Sequence, residues 1–299
     1  TCWIACLLQT AFLFLFSQLM DPEGVIAQFV VEELKWFRTV AGTFQGYAEQ
    51  RPDIAIGMTY NLFFSIFSGS QSVYVLGFAG PNMVLTFIAL SMAIPLLITS
   101  DLSSRAITMY SSKAITRLDY CIGKFGAVML LMTLTWLGPV VITWLASNLL
   151  APNFNFFYYT FRALFHSVLF IGASMCCMGM LALGISAMSK SARATTSIFL
   201  GLWLIGGMLS GIGAGSREYW LQYSSFWFDL EIIGRSIFAV SNDLSKLAQE
   251  FPALGELGAF NAIERRLSRS GDSFAGATFM MVAVSFASAY LLSIKVKSE

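Results

Sequence analysis

Residues 100–125 read SDLSSRAITMYSSKAITRLDYCIGKF and interrupt a chain that is otherwise strongly apolar. The stretch carries six charged side chains: Asp101, Arg105, Lys113, Arg117, Asp119 and Lys124. A charge at the centre of a bilayer costs about 3 kcal/mol, so six of them would cost on the order of 15–20 kcal/mol. We therefore place this stretch, named here the charged loop, outside the lipid.

The composition of the whole chain requires a lipid environment. Of the 299 residues, 57% are hydrophobic and only 12% are charged, whereas soluble domains carry about 25% charged residues. A soluble domain of this length could not remove so much apolar surface from water. The net charge of +1 gives no indication of a nucleic-acid partner, and we expect none.

Apolar windows of about 20 residues, long enough to cross the hydrocarbon core, predict six spans. They are residues 1–20, 80–100, 120–150, 163–188, 195–213 and 274–294. A shorter apolar stretch at residues 54–67 is followed by SGSQS, and we interpret it as an interfacial or re-entrant helix. The sequence thus predicts an all-α polytopic membrane protein with one transmembrane domain over residues 1–299.

Orientation follows from Lys and Arg in short loops, which stay in the cytoplasm. The charged loop holds four of them, and the other basic sites on that side are Lys190, Arg193, Lys295 and Lys297. We expect this side to be cytoplasmic, with both termini there, in the cell (inner or plasma) membrane. Because the chain begins inside an apolar run, we also expect cytoplasmic residues to precede Thr1.

The opposite side receives residues 21–79, 151–162 and 214–273. Residues 24–42 and 226–240 have apolar side chains at helical spacing among charged ones, a pattern that predicts amphipathic helices in the headgroup plane. Aromatic residues near these edges are typical of interfacial belts; they include Tyr158, Tyr159, Trp220 and Trp227.

The chain lacks the motifs of common catalytic sites. It has no GxxxxGK[ST] loop for phosphate, and no HExxH or GxSxG motif. Its single histidine, His166, follows Arg162 by four residues. We expect no catalytic residue, cofactor or metal in this chain. His166 is interpreted as an interfacial packing residue, with titration or ligand binding as the open alternative.

The predicted spans carry no ionisable residue at depth. Ion-coupled carriers place such residues near the middle of the membrane, so the energy for any transport would come from elsewhere. Small residues recur in the fifth span at Gly207, Gly211 and Gly215, a pattern for close helix packing within or between subunits. Gly179 and Gly184 in the fourth span are also interpreted as contact residues, and a moving interface is the alternative.

The charged loop itself has the pattern of a short helix followed by a turn. Ser100 or Asp101 can cap a helix through LSSRAITMY. Thr116 and Asp119 then have the spacing of a capping box in front of the next apolar run. A short helix held between two membrane helices can transmit force.

This arrangement resembles the permease subunits of ABC transporters, specifically the ABC-2 type. Members carry an acidic residue after the second span, a short helix, and a motif of the form lSrPisRxxyxxGK before the third. The matching elements are Asp101, the stretch MYSSKAITRLDYCIGK, Arg117, Tyr120, Gly123 and Lys124, with Ala114 in place of the usual proline. The six predicted spans and an outer helical segment between spans five and six extend the resemblance to the whole chain.

The resemblance implies an exporter permease that works as a dimer, either of identical copies or with a paralogue. Two separate ATPase subunits would bind ATP and Mg²⁺ and contact the loop at residues 101–124. The implied ATPase-coupling residues are Asp101, Arg105, Lys113, Arg117 and Asp119. The basic ones would face the ATPase and the aspartates would fix helix ends.

Positive-inside anchoring and helix capping also account for the charged loop, and they require no partner. A membrane-embedded scaffold or assembly protein without transport activity is the alternative function, and an intramembrane enzyme is disfavoured by the missing motifs. For an exporter, the uncharged spans suggest an apolar or amphiphilic cargo, and an accessory protein on the outer side is a further open question.

Overall fold

The computed structural model describes residues 2–20, 46, 51–70, 81–104, 116–151, 153–189, 191–216, 219–250 and 273–298. Within these ranges the regular structure is helical and contains no strand. Five helical stretches there are long and apolar enough to cross a membrane: Asn82–Asp101, Leu118–Leu149, Asn155–Met188, Ala192–Ser210 and Phe274–Ile294. The prediction of an all-α polytopic membrane protein is confirmed at this level.

The helices of the described part are numbered in chain order. The first six are α1 (Cys2–Met20), α2 (Pro52–Phe67), α3 (Pro81–Ala93), α4 (Thr99–Ser103), α5 (Arg117–Met132) and α6 (Gly138–Leu149). The next six are α7 (Asn155–Met188), α8 (Ala192–Ser216), α9 (Tyr219–Gln222), α10 (Phe226–Phe238), α11 (Val240–Glu250) and α12 (Phe274–Ser298). A 3-10 turn at Ile94–Leu96 follows α3, and a π-helical turn at Thr133–Leu137 joins α5 to α6.

The helix α1 is shorter than the five candidate spans. Its apolar part is Trp3–Leu19, about 26 Å at 1.5 Å per residue, against a hydrocarbon core of about 30 Å. A sixth span therefore stays a prediction. Within the fold α1 packs on α6, where the Cys6 thiol donates to Pro139 O at 3.4 Å.

The helix α7 begins at Asn155, ahead of the predicted window at residue 163. Its first turns are held by protein contacts: Phe156 is buried, and Thr160 is fully buried. The Thr160 hydroxyl accepts from Trp144 Nε1 at 3.0 Å and donates to Phe156 O at 2.7 Å. Tertiary contacts thus continue the helix beyond the apolar window that the sequence shows.

Contacts divide the chain into two compact units, each assembled from three segments. The first contains Thr1–Met83, Trp136–Leu169 and Ile237–Ser270, and the second contains Val84–Thr135, Phe170–Ser236 and Gly271–Glu299. The single-domain interpretation of the sequence does not distinguish them, because each unit joins segments that lie far apart in the chain.

In the first unit, α2 is buried along one face. Its fully buried side chains are Tyr60, Asn61, Phe64 and Ser65. The Phe63 ring meets Phe12 and Phe16 of α1 edge-on, at centroid distances of 4.9 and 5.2 Å. The interfacial or re-entrant interpretation of residues 54–67 stays a prediction, because a helix with one buried face fits either position.

The C-terminus of α2 requires a glycine. Ser70 N–H donates to Ser65 O and Gly69 N–H to Ile66 O, both at 3.0 Å, which is the Schellman pattern. Gly69 has φ +79°, and a Cβ there would lie 2.7 Å from Met83 Sδ. The SGS sequence after the apolar stretch therefore ends this helix for a steric reason.

In the second unit, α9 and α10 fold back against α8. A Cβ on Gly206 would lie 3.2 Å from both Ser224 O and Ser225 Cα. Trp203, near the middle of α8, packs on the rings of Phe226 and Trp227 at 5.5 and 5.8 Å. The chain after α8 thus returns along that helix.

The predicted helix at residues 226–240 is confirmed as α10, and its predicted position in the headgroup plane stays a prediction. Its apolar residues Ile232 and Ile233 are buried, and so is Asp229, which is only 3% exposed. The amphipathic pattern reports an apolar face, but it does not report that the polar side of the helix is covered as well. The other predicted amphipathic helix, at residues 24–42, lies outside the described residues.

Glycines of α7 allow close contacts in the second unit. A Cβ at Gly184 would lie 2.7 Å from Ser288 Cβ, and one at Gly179 would lie 3.2 Å from the Phe125 ring. The contact role predicted for these two glycines is confirmed. A Cβ at Gly207 would meet no described atom within 4 Å, while the surroundings of Gly211 and Gly215 lie outside the description. The packing role of that triplet stays a prediction.

We predict that Gly184→Leu will destabilise the protein by about 1–3 kcal/mol, the usual cost of overpacking a close contact. Gly172 is the matched control, since it lies in the same helix and a Cβ there would meet nothing within 4 Å. Gly172→Leu should leave the thermal unfolding midpoint in nanodiscs unchanged or slightly higher, because leucine is the better helix former. Equal midpoints for the two variants would contradict the close α7–α12 contact.

Candidate functional site

The two described ends of the charged loop are joined by an ion pair. Lys124 Nζ lies 2.8 Å from Asp101 Oδ2, and the Tyr120 hydroxyl donates to the same oxygen at 2.7 Å. The Lys124 ammonium also lies over the Tyr120 ring, 5.6 Å from its centroid. The side chains of Asp101 and Lys124 are 14% and 24% exposed. Such a part-buried, hydrogen-bonded pair holds its geometry better than an exposed one.

The capping box predicted at the start of α5 is confirmed. Thr116 Oγ1 accepts from the Asp119 backbone N–H at 3.2 Å, and Asp119 Oδ2 accepts from the Thr116 N–H at 3.1 Å. These bonds satisfy N–H groups that a helix start leaves without intrahelical partners. The chain direction is therefore fixed where the loop enters the α5–α6 span.

The helix predicted through LSSRAITMY lies mostly outside the described residues, which stop in this stretch at residue 104. Its predicted caps, Ser100 and Asp101, lie inside the preceding helix α4, whose N-cap residue is Ile98 without a side-chain cap. Asp101 is instead engaged with Tyr120 and Lys124, a cross-helix contact that local spacing cannot show. Lys124, which the sequence analysis does not include among the coupling residues, is the charged partner of Asp101; the contact of Asp101 with Tyr120 and Lys124 is named here the Asp101 anchor.

Three of the predicted coupling side chains are not among those that the structure describes. Arg105 and Lys113 lie outside the described residues. Arg117 is the first residue of α5, and only its backbone is described. The structure brings together the ends of the loop through Asp101, Tyr120 and Lys124. Contacts made by the three basic residues therefore remain predictions.

A buried hydroxyl cluster lies next to this anchor and is absent from the sequence-based site. Its members are Thr99, Ser186 and Thr195, each at most 1% exposed. Thr99 Oγ1 lies 2.9 Å from Ser186 O and 3.0 Å from Thr195 Oγ1, and Ser186 Oγ accepts from the Thr99 N–H at 3.0 Å. A serine and two threonines near apolar helix ends are too common to indicate such a cluster in advance.

Together the anchor and the hydroxyl cluster connect four helices of the second unit. Asp101, at the end of the α3–α4 span, is held to α5, and Thr99 is held to α7 and α8. An ion pair and hydrogen bonds therefore link the described ends of the charged loop to these helices. Among the described residues no group of three or more His, Cys, Asp or Glu could hold a metal ion.

A second polar cluster, in the first unit, surrounds Asn61. Its Nδ2 donates to Phe238 O at 2.7 Å and to Asp243 Oδ2 at 2.8 Å. The amide oxygen therefore faces His166 Nδ1 at 3.0 Å, so that nitrogen carries the hydrogen. Asp243 also pairs with Arg162 at 3.3 Å. Asn61 and Asp243 were not predicted, since they are 182 positions apart in the sequence.

These contacts agree with a packing role for His166. Its ring also lies edge-on to Phe238 at 5.8 Å. The cluster holds the corner between α10 and α11, where Ala239 has the unusual φ of +47°. A non-glycine residue in this left-handed region costs about 1–3 kcal/mol and needs surrounding contacts.

Asp229 of α10 is a buried carboxylate of the second unit, and its pKa is strongly raised. Its Oδ1 has no hydrogen-bond partner among the described residues, and the side chain is 3% exposed. Burial raises the pKa of Asp229 from 3.8 to about 8. Burial therefore favours the protonated carboxyl over the carboxylate in the folded protein.

The chain matches no protein-family model, no curated protein and no solved structure. Its function is accordingly inferred from the geometry of the described residues and from the sequence motifs.

We predict that Asp101→Asn will lower the free energy of unfolding by about 1–3 kcal/mol, because it leaves Lys124 without its carboxylate. Lys124→Met added to Asp101→Asn should cost less than the sum of the two single changes. The control is Asp53→Asn, which removes an exposed ion pair with Arg51 whose members are 56% and 52% exposed; a change below about 0.5 kcal/mol is expected. Additive effects of the two changes at the anchor would show that it does not act as a pair.

A second prediction concerns pH. Below about pH 4, Asp229 is protonated in both folded and unfolded states; between about pH 4 and pH 8, the folded state retains a proton that the unfolded state loses. Stability from this group should therefore fall as pH rises to about 8 and then level off. The thermal unfolding midpoint of Asp229→Asn minus that of the wild type should increase from pH 5 to pH 8. A difference that does not change with pH would contradict the raised pKa of Asp229.

Proposed function

We propose that this chain is the permease subunit of an ATP-driven exporter of the ABC-2 type. It works as a dimer with an identical or paralogous copy, and two separate ATPase subunits engage the loop at residues 101–124. ATP-dependent closure of the ATPases would displace this loop and move the membrane helices around a shared translocation path. The proposal places the loop in the cytoplasm of the cell membrane.

The observation that carries this proposal is the Asp101 anchor. A loop that transmits force must be stiff at both ends, and Asp101 bonds across the loop to Tyr120 and Lys124. The capping box of Thr116 and Asp119 fixes the exit direction. Positive-inside anchoring alone requires basic charge, but it requires neither of these contacts.

The attachment of the anchor to other helices supports the same function. Thr99, two residues before Asp101, bonds to Ser186 of α7 and Thr195 of α8. A push on the loop would therefore reach the α3–α4, α7 and α8 helices together. The folded-back α9–α10 segment between α8 and α12 also fits the resemblance, which includes an outer helical segment at that place in the chain.

The test is purification of the tagged chain from its native membrane in mild detergent. We expect an ATPase to remain bound and its rate of ATP hydrolysis to depend on the permease. Arg105→Glu combined with Arg117→Glu should abolish this association. The control is Arg193→Glu, an exposed charge reversal in the next loop predicted on the same side, which should leave most of the association intact.

Two outcomes would contradict the proposal. Capture of no ATPase, even after chemical crosslinking in the membrane, would favour a scaffold without transport activity. Full association and unchanged hydrolysis in the double arginine variant would remove the charged loop from the coupling contact. An Asp101→Asn variant that binds the ATPase but no longer alters its hydrolysis would support the anchor as the transmitting element.

A further inference from the structure

The α3–α4 span is broken between residues 94 and 99. Pro95 has no N–H to donate. In a regular α-helix its ring would clash with the backbone carbonyl four residues earlier. The chain forms a 3-10 turn at Ile94–Leu96, where the Leu97 N–H donates to Ile94 O at 3.1 Å. Leu97 itself has φ −75° and ψ −85°, which is not helical. The α-helix resumes at Thr99.

The hydroxyl of Ser186 occupies this break. The Ile98 N–H donates to Ser186 Oγ at 2.9 Å, and Ser186 Oγ donates to Ile94 O at 3.0 Å. In a continuous α-helix the Ile98 N–H would donate to Ile94 O directly, four residues back. The serine hydroxyl therefore stands between the two partners of one helical hydrogen bond, a known cause of sharp helix kinks.

The bonding capacity of this hydroxyl is fully used. A serine hydroxyl has one hydrogen to donate and two lone pairs that accept. Ser186 Oγ accepts from the N–H groups of Ile98 and Thr99 and donates to Ile94 O. The Thr99 hydroxyl in turn lies 2.9 Å from Ser186 O, one of the last carbonyls of α7, which have no intrahelical donor.

We infer that Ser186 is a wedge that selects the broken form of the α3–α4 span, and that its withdrawal allows a continuous form. In the continuous form the Ile98 N–H bonds directly to Ile94 O, so neither group is left unpaired away from water. Exchange between the two forms therefore requires the serine hydroxyl to leave the break, but it leaves neither of these two backbone groups without a partner. The wedge would operate in this way whether or not the chain is a transport subunit.

The break at residues 94–99, named here the hinge, lies directly before the Asp101 anchor. Asp101 follows Ile98 by three residues and is held to Tyr120 and Lys124. Straightening of residues 94–98 would change the direction of α4. The distances from Asp101 to Tyr120 and Lys124 would change with it. Ser186 thus couples the end of α7 to the position of the charged loop.

The test measures distances across the hinge in the full chain in nanodiscs. Nitroxide labels are attached to ketone-bearing unnatural residues at positions 88 and 104, which are exposed before and after the break; the native cysteines are kept. A continuous helix would separate these backbones by about 24 Å. In Ser186→Ala we expect the ratio of continuous to broken form to rise about tenfold, the scale set by losing the acceptor of a buried amide.

The matched control is Ser174→Ala. Ser174 is also buried in α7, but its hydroxyl donates only to Phe170 O of its own helix, at 2.7 Å. This variant should keep the wild-type distance distribution. Pro95→Ala is the second test variant, and it should also populate the continuous form because it restores an N–H and removes the ring.

The outcomes separate the wedge from general loss of packing. A new distance in Ser186→Ala and Pro95→Ala, but not in Ser174→Ala, supports the inference. An unchanged distribution in Ser186→Ala overturns it, and so does a shift in Pro95→Ala alone, since proline would then set the break by itself. Equal shifts in both serine variants would also overturn it. If Ser186→Ala does not yield folded protein, Ser186→Cys replaces it, because a thiol is a weaker acceptor than a hydroxyl; a new distance in that variant supports the inference, and an unchanged distribution overturns it.

Discussion

The pairing of polar groups away from water is the constraint on which this structure depends. In lipid an unpaired backbone N–H or carbonyl costs several kcal/mol, so helices satisfy these groups along most of the chain. Where a helix stops or breaks, other groups must replace the missing partners. At the end of α2, the turn at Gly69 lets backbone N–H groups bond to the last carbonyls. At the start of α5, Thr116 and Asp119 accept from the free N–H groups. In the broken α3–α4 span, the Ser186 hydroxyl accepts from the Ile98 N–H.

Interactions of this kind also connect the helices of the candidate site. Thr99, Ser186 and Thr195 form one buried hydroxyl cluster, and the Asp101 anchor follows it along the chain. The lipid-facing surfaces of the spans contribute little to specificity, because any apolar side chain satisfies them. Polar contacts at helix ends and breaks decide instead how a displacement at one helix is passed to another.

The sequence was sufficient to predict what depends on composition or local spacing. The membrane class, five of the apolar helices and the Thr116–Asp119 capping box follow from hydropathy and a four-residue pattern. Partners distant in sequence were not predictable: Asp101 with Tyr120 and Lys124, Thr99 with Ser186, and Asn61 with Asp243. Pairwise contacts of this kind leave no periodic signal in one sequence. The burial of Asp229 in α10, 3% exposed, was not predictable for the same reason, because an amphipathic pattern describes one helix and not the neighbours that cover it.

The Asn61 cluster has a consequence for the order in which the protein is made. The two acceptors of the Asn61 amide, Phe238 O and Asp243 Oδ2, lie 177 and 182 positions later in the chain. They do not exist when α2 leaves the ribosome, so this amide must stay hydrated, or use temporary partners, during most of synthesis. The Asn61 contacts that fix α2 can therefore form only after residues 238–243 have been made, when about four-fifths of the 299 residues have been synthesised.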